Sequence, residues 1–468
     1  MDSKQYFYNE GGIKTNKHKI LGGGAYGCAI SPGLDCKGKI NKYVYKVNKI
    51  QEINFNSKNE LQISELVKKI KSYKKRFIPI NKFCIVKFNK IENSKDIING
   101  CENLFDSYSK SDTINFINKE YFMFYMHYVK GTSPKNYLLE LKNLDSFYNK
   151  FFYSFYYLLN SIYLLNKVNI VHNDLHYNNI IYDIVNDVPL IIDFGLSFKY
   201  KSLFKNLKGF DYKIIKNFFF DWRENMGWHL TDKRFISFII DNYSQYYQAN
   251  VSNDFTENDL TKKILDIFID DTYHSFLDDP QISFIFQDYE FKEFYNALQN
   301  YYYKFLPEND IHNKYKYYSS ILQEILPFVL KYNDLHSLVS AYLSILYKKI
   351  YQENLEYKSD ILKYNNILDF IKSLIKKVYY PDPYYRLSIK QFISIFNFVF
   401  KFCQSINVNH LNDNKYIEQF YLDFKLLLNE IHYDYNMFFN KNYAYVDFYS
   451  ILKKDNVMLI KKFDFYII

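Results

Sequence analysis

The chain has 468 residues, 48% of them hydrophobic, which is enough for a substantial core and for up to three domains. Its net charge of +9 is spread over scattered lysines with no long block of one sign. That pattern reads as a solvated basic surface and argues against a specific nucleic-acid face. The five cysteines, Cys28, Cys36, Cys84, Cys101 and Cys403, contain no C-x-x-C pair, so neither a zinc site nor a disulfide framework is expected. Residues Met1 to Lys19 lack the apolar core of a signal peptide. The most apolar run, Phe151 to Val168, is broken by Ser154, Asn160, Ser161 and Asn166, and reads as a buried helix instead of a membrane span. A soluble, intracellular protein is expected. The aromatic share of 21%, beside abundant Asn, Lys and Ile, follows AT-rich codons and is a genomic bias.

In chain order, Leu21-Gly22-Gly23-Gly24-Ala25-Tyr26-Gly27-Cys28 matches G-x-G-x-x-G after a short strand-like segment. Ser31 to Asn41 reads as a turn, and Lys42 to Val47 as an alternating strand. A helix is expected over Ser57 to Lys71, with Glu60 and Glu65 as its acids. Phe77 to Phe88 and Tyr121 to Tyr125 read as strands on either side of a polar loop, Asn93 to Asn118. Met126 to Gly131 follows, then Pro134 at the first turn of a helix, then a long helix over Leu144 to Asn166.

The stretch that organises the chain is Ile170 to Ser197. Here His172-Asn173-Asp174-Leu175-His176-Tyr177-Asn178-Asn179 precedes an apolar strand ending in Asp193-Phe194-Gly195. Beyond it lie helix-like runs over Asp232 to Tyr246, Leu260 to Phe268 and Glu290 to Tyr303. An apolar helix led by Asp334, the segment Asp382-Pro383-Tyr384-Tyr385-Arg386, and a helix over Lys415 to His432 complete the chain. No internal repeat is evident.

The spacing His-x-Asp-x4-Asn followed by Asp-Phe-Gly resembles the catalytic core of eukaryotic-type protein kinases. The glycine loop and the Asp-Leu-His variant resemble serine/threonine kinases of large nucleocytoplasmic DNA viruses. The resemblance implies an α+β, bilobal protein-kinase-like fold with an antiparallel-sheet N-lobe and a helical C-lobe. The implied division is an extension over 1–18, an N-lobe over 19–125, a C-lobe over 126–405 and a C-terminal extension over 406–468. The Asp193-to-Asp334 interval is too long for an unstructured loop, so a helical insertion is expected at about 200–325.

The resemblance also implies roles. Asp174 accepts the proton of the attacking hydroxyl, and Asn179 and Asp193 bind magnesium. Lys46 is the strand lysine that reaches the α- and β-phosphates, held by Glu60, with Glu65 as the alternative. The backbone of Leu21, Gly22, Gly23, Gly24, Ala25, Tyr26 and Gly27 covers the phosphates, with Tyr26 as a lid. Met126, His127, Tyr128 and Val129 form the hinge at the adenine. Asp334 holds the catalytic-loop backbone, and Arg386 anchors the large lobe, with Glu324 as its expected carboxylate. The cofactors implied are ATP and Mg2+, with Mn2+ as a substitute ion. The partners implied are protein substrates, in the host cytoplasm or the virion.

Three departures from the family pattern stand out. Asn173 replaces an arginine that in many kinases pairs with a phosphorylated activation segment. His176 replaces a lysine placed near the γ-phosphate, and no Ala-Pro-Glu closes the activation segment. His-x-Asp-x-His-x-x-Asn also occurs in small-molecule phosphotransferases resembling aminoglycoside and choline kinases, which is the alternative class. A non-catalytic scaffold is a third reading, disfavoured because Lys46, Asp174, Asn179 and Asp193 are all retained.

Overall fold

A computed structural model describes residues 19–24, 27–31, 33–39, 46–91, 94, 97, 118–206, 209–210, 215, 217–219, 230–249, 257–306, 314–353, 365–405, 414–434, 436, 438, 452 and 454–461. The chain divides into two compact units. The first comprises the described residues of Met1–Tyr137 with Tyr177–Lys199, and the second those of Leu138–His176 with Tyr200–Ile468.

The first unit is built on an antiparallel sheet of β1 (Lys19–Gly24), β2 (Gly27–Ser31), β3 (Lys46–Glu52), β4 (Lys82–Lys87) and β5 (Glu120–His127), in the order β1-β2-β3-β5-β4. The paired glycines sit where β1 turns into β2, with Gly23 opposite Cys28 and Gly24 opposite Gly27. One face of the sheet closes over Ile30, Ile50, Val86, Phe88, Tyr121 and Met123. Asn48 is fully buried among these apolar groups without an orphaned amide. Its Oδ1 accepts from Leu34 N–H and its Nδ2 donates to Phe124 O at 3.2 Å.

Helix α1 (Phe55–Val67) follows β3 directly. Its start is fixed by a reciprocal cap in which Asn54 Oδ1 accepts from Ser57 N–H and Ser57 Oγ accepts from Asn54 N–H, each at 2.9 Å. Ser57, Glu60, Ile63, Ser64 and Val67 recur at helical spacing and form its buried face, so Glu60 points inward and Glu65 does not. A second small sheet joins β6 (Gly131–Thr132), β8 (Ile180–Asp183) and β9 (Val188–Ile191), with β6 and β9 flanking β8.

After α2 (Pro134–Leu139), the second unit is almost wholly helical. It holds α3 (Leu144–Lys167), a short strand β7 (Ile170–Val171), α4 (Thr231–Ala249), α5 (Glu257–Leu277), α6 (Pro280–Ile285), α7 (Asp288–Tyr302) and α8 (Lys314–Glu353). These are followed by α9 (Asn365–Tyr379), α10 (Ile389–Ser405), α11 (Asn414–Glu430) and α12 (Lys454–Lys461). The aromatic-rich α3 is a core helix, as its broken apolar run implies. Phe151 and Phe155 meet Tyr342 of α8, with ring centroids 5.2 and 5.1 Å apart, and Phe155 meets Phe392 of α10. Tyr342 buries its ring and satisfies its hydroxyl by donating to Ser154 Oγ at 2.9 Å.

Among the described residues of 200–325, the helix-like runs at Asp232, Leu260 and Glu290 fall in α4, α5 and α7. Helices α5 and α7 pack on α4 through Phe235, Phe268 and Tyr302. The 40-residue α8 runs through residue 325. An antiparallel-sheet N-terminal region and a mostly helical remainder are compatible with a kinase-like α+β fold.

The cysteine expectation fails at one position, since Cys28 is disulfide-bonded while Cys36, Cys84 and Cys403 are free thiols. No helix among the described residues is long and apolar enough to cross a membrane.

Candidate active site

In the first unit, strand β3, helix α1 and the residues after β9 converge on one cation. Lys49 Nζ lies 3.0 Å from Glu60 Oε2 and 3.1 Å from Asp193 Oδ1. The lysine held by the two acids is therefore Lys49, not Lys46. The reason is register. The strand expected over Lys42 to Val47 instead runs Lys46–Glu52, placing Lys46 at its first position, opposite His127, and Lys49 at its centre, opposite Phe124. Residues three apart on a strand fall on opposite sides, and Lys49 is on the side of Glu60. Burial opposes the charge on Lys49, but the Asp193 and Glu60 carboxylates outweigh it and hold the ammonium well above the usual lysine range. Burial pushes the Glu60 carboxyl up to about 7, with Lys49 pulling it down and Asp193 adding to the rise. Glu65, the alternative acid, is exposed and pairs instead with Lys68 at 2.6 Å.

Asp193 follows β9 directly and has φ +60°, a left-handed backbone that a non-glycine residue adopts at a cost. Its Oδ1 also accepts from Gly195 N–H at 3.2 Å. Phe194 is buried edge-on to Phe77, with centroids 6.3 Å apart. A side chain at Gly195 would begin 3.3 Å from Asp193 Oδ1 and 3.7 Å from Glu60 Oε2, so the glycine leaves room for the ion pair. Helix α1 grips the same segment a second time, since Asn59 Nδ2 donates to Gly195 O at 3.2 Å and to Ser197 O at 2.6 Å. Asn179 is buried just before β8, and its carbonyl accepts Ile192 N–H at 3.0 Å, so the β8–β9 hairpin keeps Asn179 and Asp193 close.

The remaining expected residues of this unit are placed as follows. Leu21 is half-buried on β1, the backbones of Gly22, Gly23, Gly24 and Gly27 form the paired strand ends, and Ala25 and Tyr26 lie outside the described residues. Met126 is half-buried and packs against Ile78, Val129 and Leu190, with Val129 itself buried. His127 is exposed and Tyr128 half-buried.

In the second unit, Asp174 sits on a loop whose backbone is fixed from below. Asp334 Oδ2 accepts from His172 N–H at 2.8 Å and its Oδ1 from Asn173 N–H at 3.0 Å, the role expected of it. Burial pushes the Asp334 carboxyl up, while His172 and the two backbone N–H groups oppose that rise. Asn173, at φ +68°, donates from Nδ2 to Phe218 O at 2.8 Å. Lys233 of α4 donates from Nζ to Asn173 O at 2.6 Å. Burial lowers the Lys233 ammonium to about 8, and Asp174 and Asp334 pull it back up. Sequence reasoning did not find Lys233. It lies 59 residues from Asp174 and belongs to no spaced motif. His176 Nε2 is 3.7 Å from Asp174 Oδ2, and the Asp174 side chain is partly exposed.

Arg386 is fully buried, as expected, but Glu324 is not its partner. The guanidinium pairs with Asp232, in the first turn of α4, and donates to the carbonyls of Tyr380 and Pro381. Glu324 lies half-exposed on α8 and pairs with Lys304 at 2.9 Å. An acid in a helix's first turn is favoured there on its own account, so Asp232 carried no signal of a partner 154 residues away.

No family model matches the chain. It is similar to a protein of Dictyostelium discoideum named "Probable inactive serine/threonine-protein kinase samkD", 27% identical over 179 residues, which cover 36% of this chain and 31% of that protein. The chain thus spans about a third of the length of the curated relative it matches. This weak identity suggests a kinase-like relationship.

Proposed function

We propose that the chain is a phosphotransferase that moves the γ-phosphate of ATP to serine or threonine hydroxyls of protein substrates, with magnesium as cofactor. The observation that carries this reading is the Lys49–Glu60–Asp193 cluster, in which a strand lysine is held extended by a helix glutamate and shares the aspartate that follows β9. Asp193 and Asn179 supply a carboxylate and an amide oxygen, hard donors that suit magnesium. When bound, the ion would supply charge neutralisation for the phosphates. Lys49 directs a fixed positive charge at the nucleotide, and the glycine-paired turn between β1 and β2 lets backbone N–H groups approach it closely. Asp174 takes the proton of the attacking hydroxyl at a carboxylate oxygen. The bonds from Asp334 and Lys233 fix the backbone from which it projects.

The test is a radiolabelled-ATP assay with protein and small-molecule acceptors side by side. Label on protein is the expected result, lost in Asp193→Ala and reduced at least a hundredfold, about 2.7 kcal/mol in the barrier, in Asp174→Asn. Full activity of Asp174→Asn would sink the assignment. Label on small hydroxylated amines alone would move the chain to the aminoglycoside- and choline-kinase-like class. A second reading, a nucleotide-binding scaffold without turnover, draws on the word "inactive" in the name of the Dictyostelium protein. Nucleotide binding with no label on any acceptor would favour it.

Asn173 carries no charge, and its side-chain amide is engaged with Phe218 O. A phosphate on the following segment therefore has no arginine at this position to neutralise. Enzyme made without other kinases is expected to be active, with Ser197, Tyr200 and Ser202 dispensable. A drop of more than about tenfold, roughly 1.4 kcal/mol in the barrier, after phosphatase treatment would count against this.

A further inference from the structure

Two free thiols meet at one phenol in the first unit, away from the Lys49 cluster. Tyr125 Oη of β5 is 3.3 Å from Cys36 Sγ and 3.5 Å from Cys84 Sγ, which brings the two sulfurs to within about 6.8 Å of each other. Cys84 lies on β4, opposite Met123 of β5. Cys36 lies in the β2–β3 connection, in a turn held by its own bonds. Asp35 Oδ1 accepts the N–H groups of Lys37 and Lys39, each at 2.9 Å, and Gly38 closes the turn at φ +78°. A side chain at Gly38 would collide with the Lys90 carbonyl, so the turn is seated against the chain that follows β4. The two sulfurs, 48 positions apart in the chain, are thus brought together by the fold and not by sequence proximity. Two thiols that share one phenol oxygen need only side-chain rotation and a small movement of the turn to approach disulfide geometry.

We propose that Cys36 and Cys84 are an oxidation site that closes to an intramolecular disulfide on exposure to a peroxide. Cys36 is exposed and meets the oxidant first, whereas burial pushes the half-buried Cys84 thiol up to about 12 and keeps it protonated. The Cys36 thiolate attacks one peroxide oxygen, the O–O bond breaks, and the departing hydroxide takes a proton, leaving a sulfenic acid and water. The Cys84 sulfur then attacks the Cys36 sulfur, and the S–O bond breaks. The leaving hydroxide takes up the Cys84 proton to give a second water. The two thiols lose two electrons and two protons in total, and the peroxide is reduced to two waters. The link would join the β2–β3 connection to β4, across the two strands, β3 and β5, that carry Lys49 and Tyr125.

The experiment is non-reducing peptide mapping of the full chain before and after hydrogen peroxide. A Cys36–Cys84 linked peptide is expected, formed in most molecules and removed by a thiol reductant, with the buried Cys403 unchanged. In Cys84→Ser the reaction should stop at a sulfenic acid on Cys36 that a dimedone probe captures, and in Cys36→Ser Cys84 should keep its thiol. Cys36 passing to sulfinic acid in the unsubstituted protein while Cys84 stays reduced would overturn the proposal. So would Cys84 linked to any residue other than Cys36. These readouts need no catalytic activity and stand apart from the assay above.

Discussion

Lys49→Met is expected to lower phosphotransfer by about a hundredfold or more, whereas Lys46→Met should change it by less than about threefold. Lys49 is the only cation that Glu60 and Asp193 share in the cluster described. Its removal takes away the charge aimed at the nucleotide. It also leaves a buried glutamate beside a second carboxylate with nothing between them. Burial and Asp193 both raise the Glu60 carboxyl, and Lys49 is what holds it down, so Glu60 in the variant takes up a proton and the cluster becomes neutral at its centre. Far-UV circular dichroism and the thermal midpoint should stay near those of the parent, which separates lost chemistry from lost structure. Activity retained by Lys49→Met and abolished by Lys46→Met would show that the register of β3 described above does not govern the site.

The second large effect concerns stability. Asp232→Ala is expected to destabilise the second unit by about 3–5 kcal/mol, because it strands a guanidinium that is wholly out of solvent. Burial alone pushes the Asp232 carboxyl up, but an arginine keeps its proton throughout the accessible range, so the pair is ionised and the loss of one member is uncompensated. The bonds to Tyr380 and Pro381 carbonyls remain and place the cost toward the lower end of that range. Glu324→Ala, which breaks only a half-exposed pair with Lys304, should fall within about 0.5 kcal/mol of the parent. Urea denaturation of both variants decides between the partners. Equal and large losses, or a larger loss for Glu324→Ala, would refute the assignment of Asp232.

Features carried by local pattern were legible before any coordinates. Helix α3 was read from its apolar run, and Glu60 from the family resemblance, which its place on the inward face of α1 agrees with. Asp334 was legible through the family resemblance, although it stands in the middle of α8 and does not lead a helix. What escaped was register and long-range pairing. Lys46 and Lys49 both sit in an alternating stretch, and nothing in the stretch itself says which parity faces α1. Asp232 and Lys233 are neighbours on one helix turn, yet one ends on Arg386 and the other on the Asn173 carbonyl. Those partners lie 154 and 60 residues away, and chain topology alone brings them together. The sulfur contact was invisible for the same reason, since Cys36 and Cys84 carry no spacing signal.

Helix α1 touches the segment after β9 by two routes, the Glu60–Lys49–Asp193 chain and the Asn59 amide on the carbonyls of Gly195 and Ser197. An outward swing of the helix therefore cannot release one route and keep the other. The helix and the Asp193–Ser197 backbone are expected to open together, and slow hydrogen exchange at either should report the opening of both. Asn59→Ala would leave only the ion-pair route, so that the Gly195–Phe198 amides exchange faster while those in the core of α1 keep their protection.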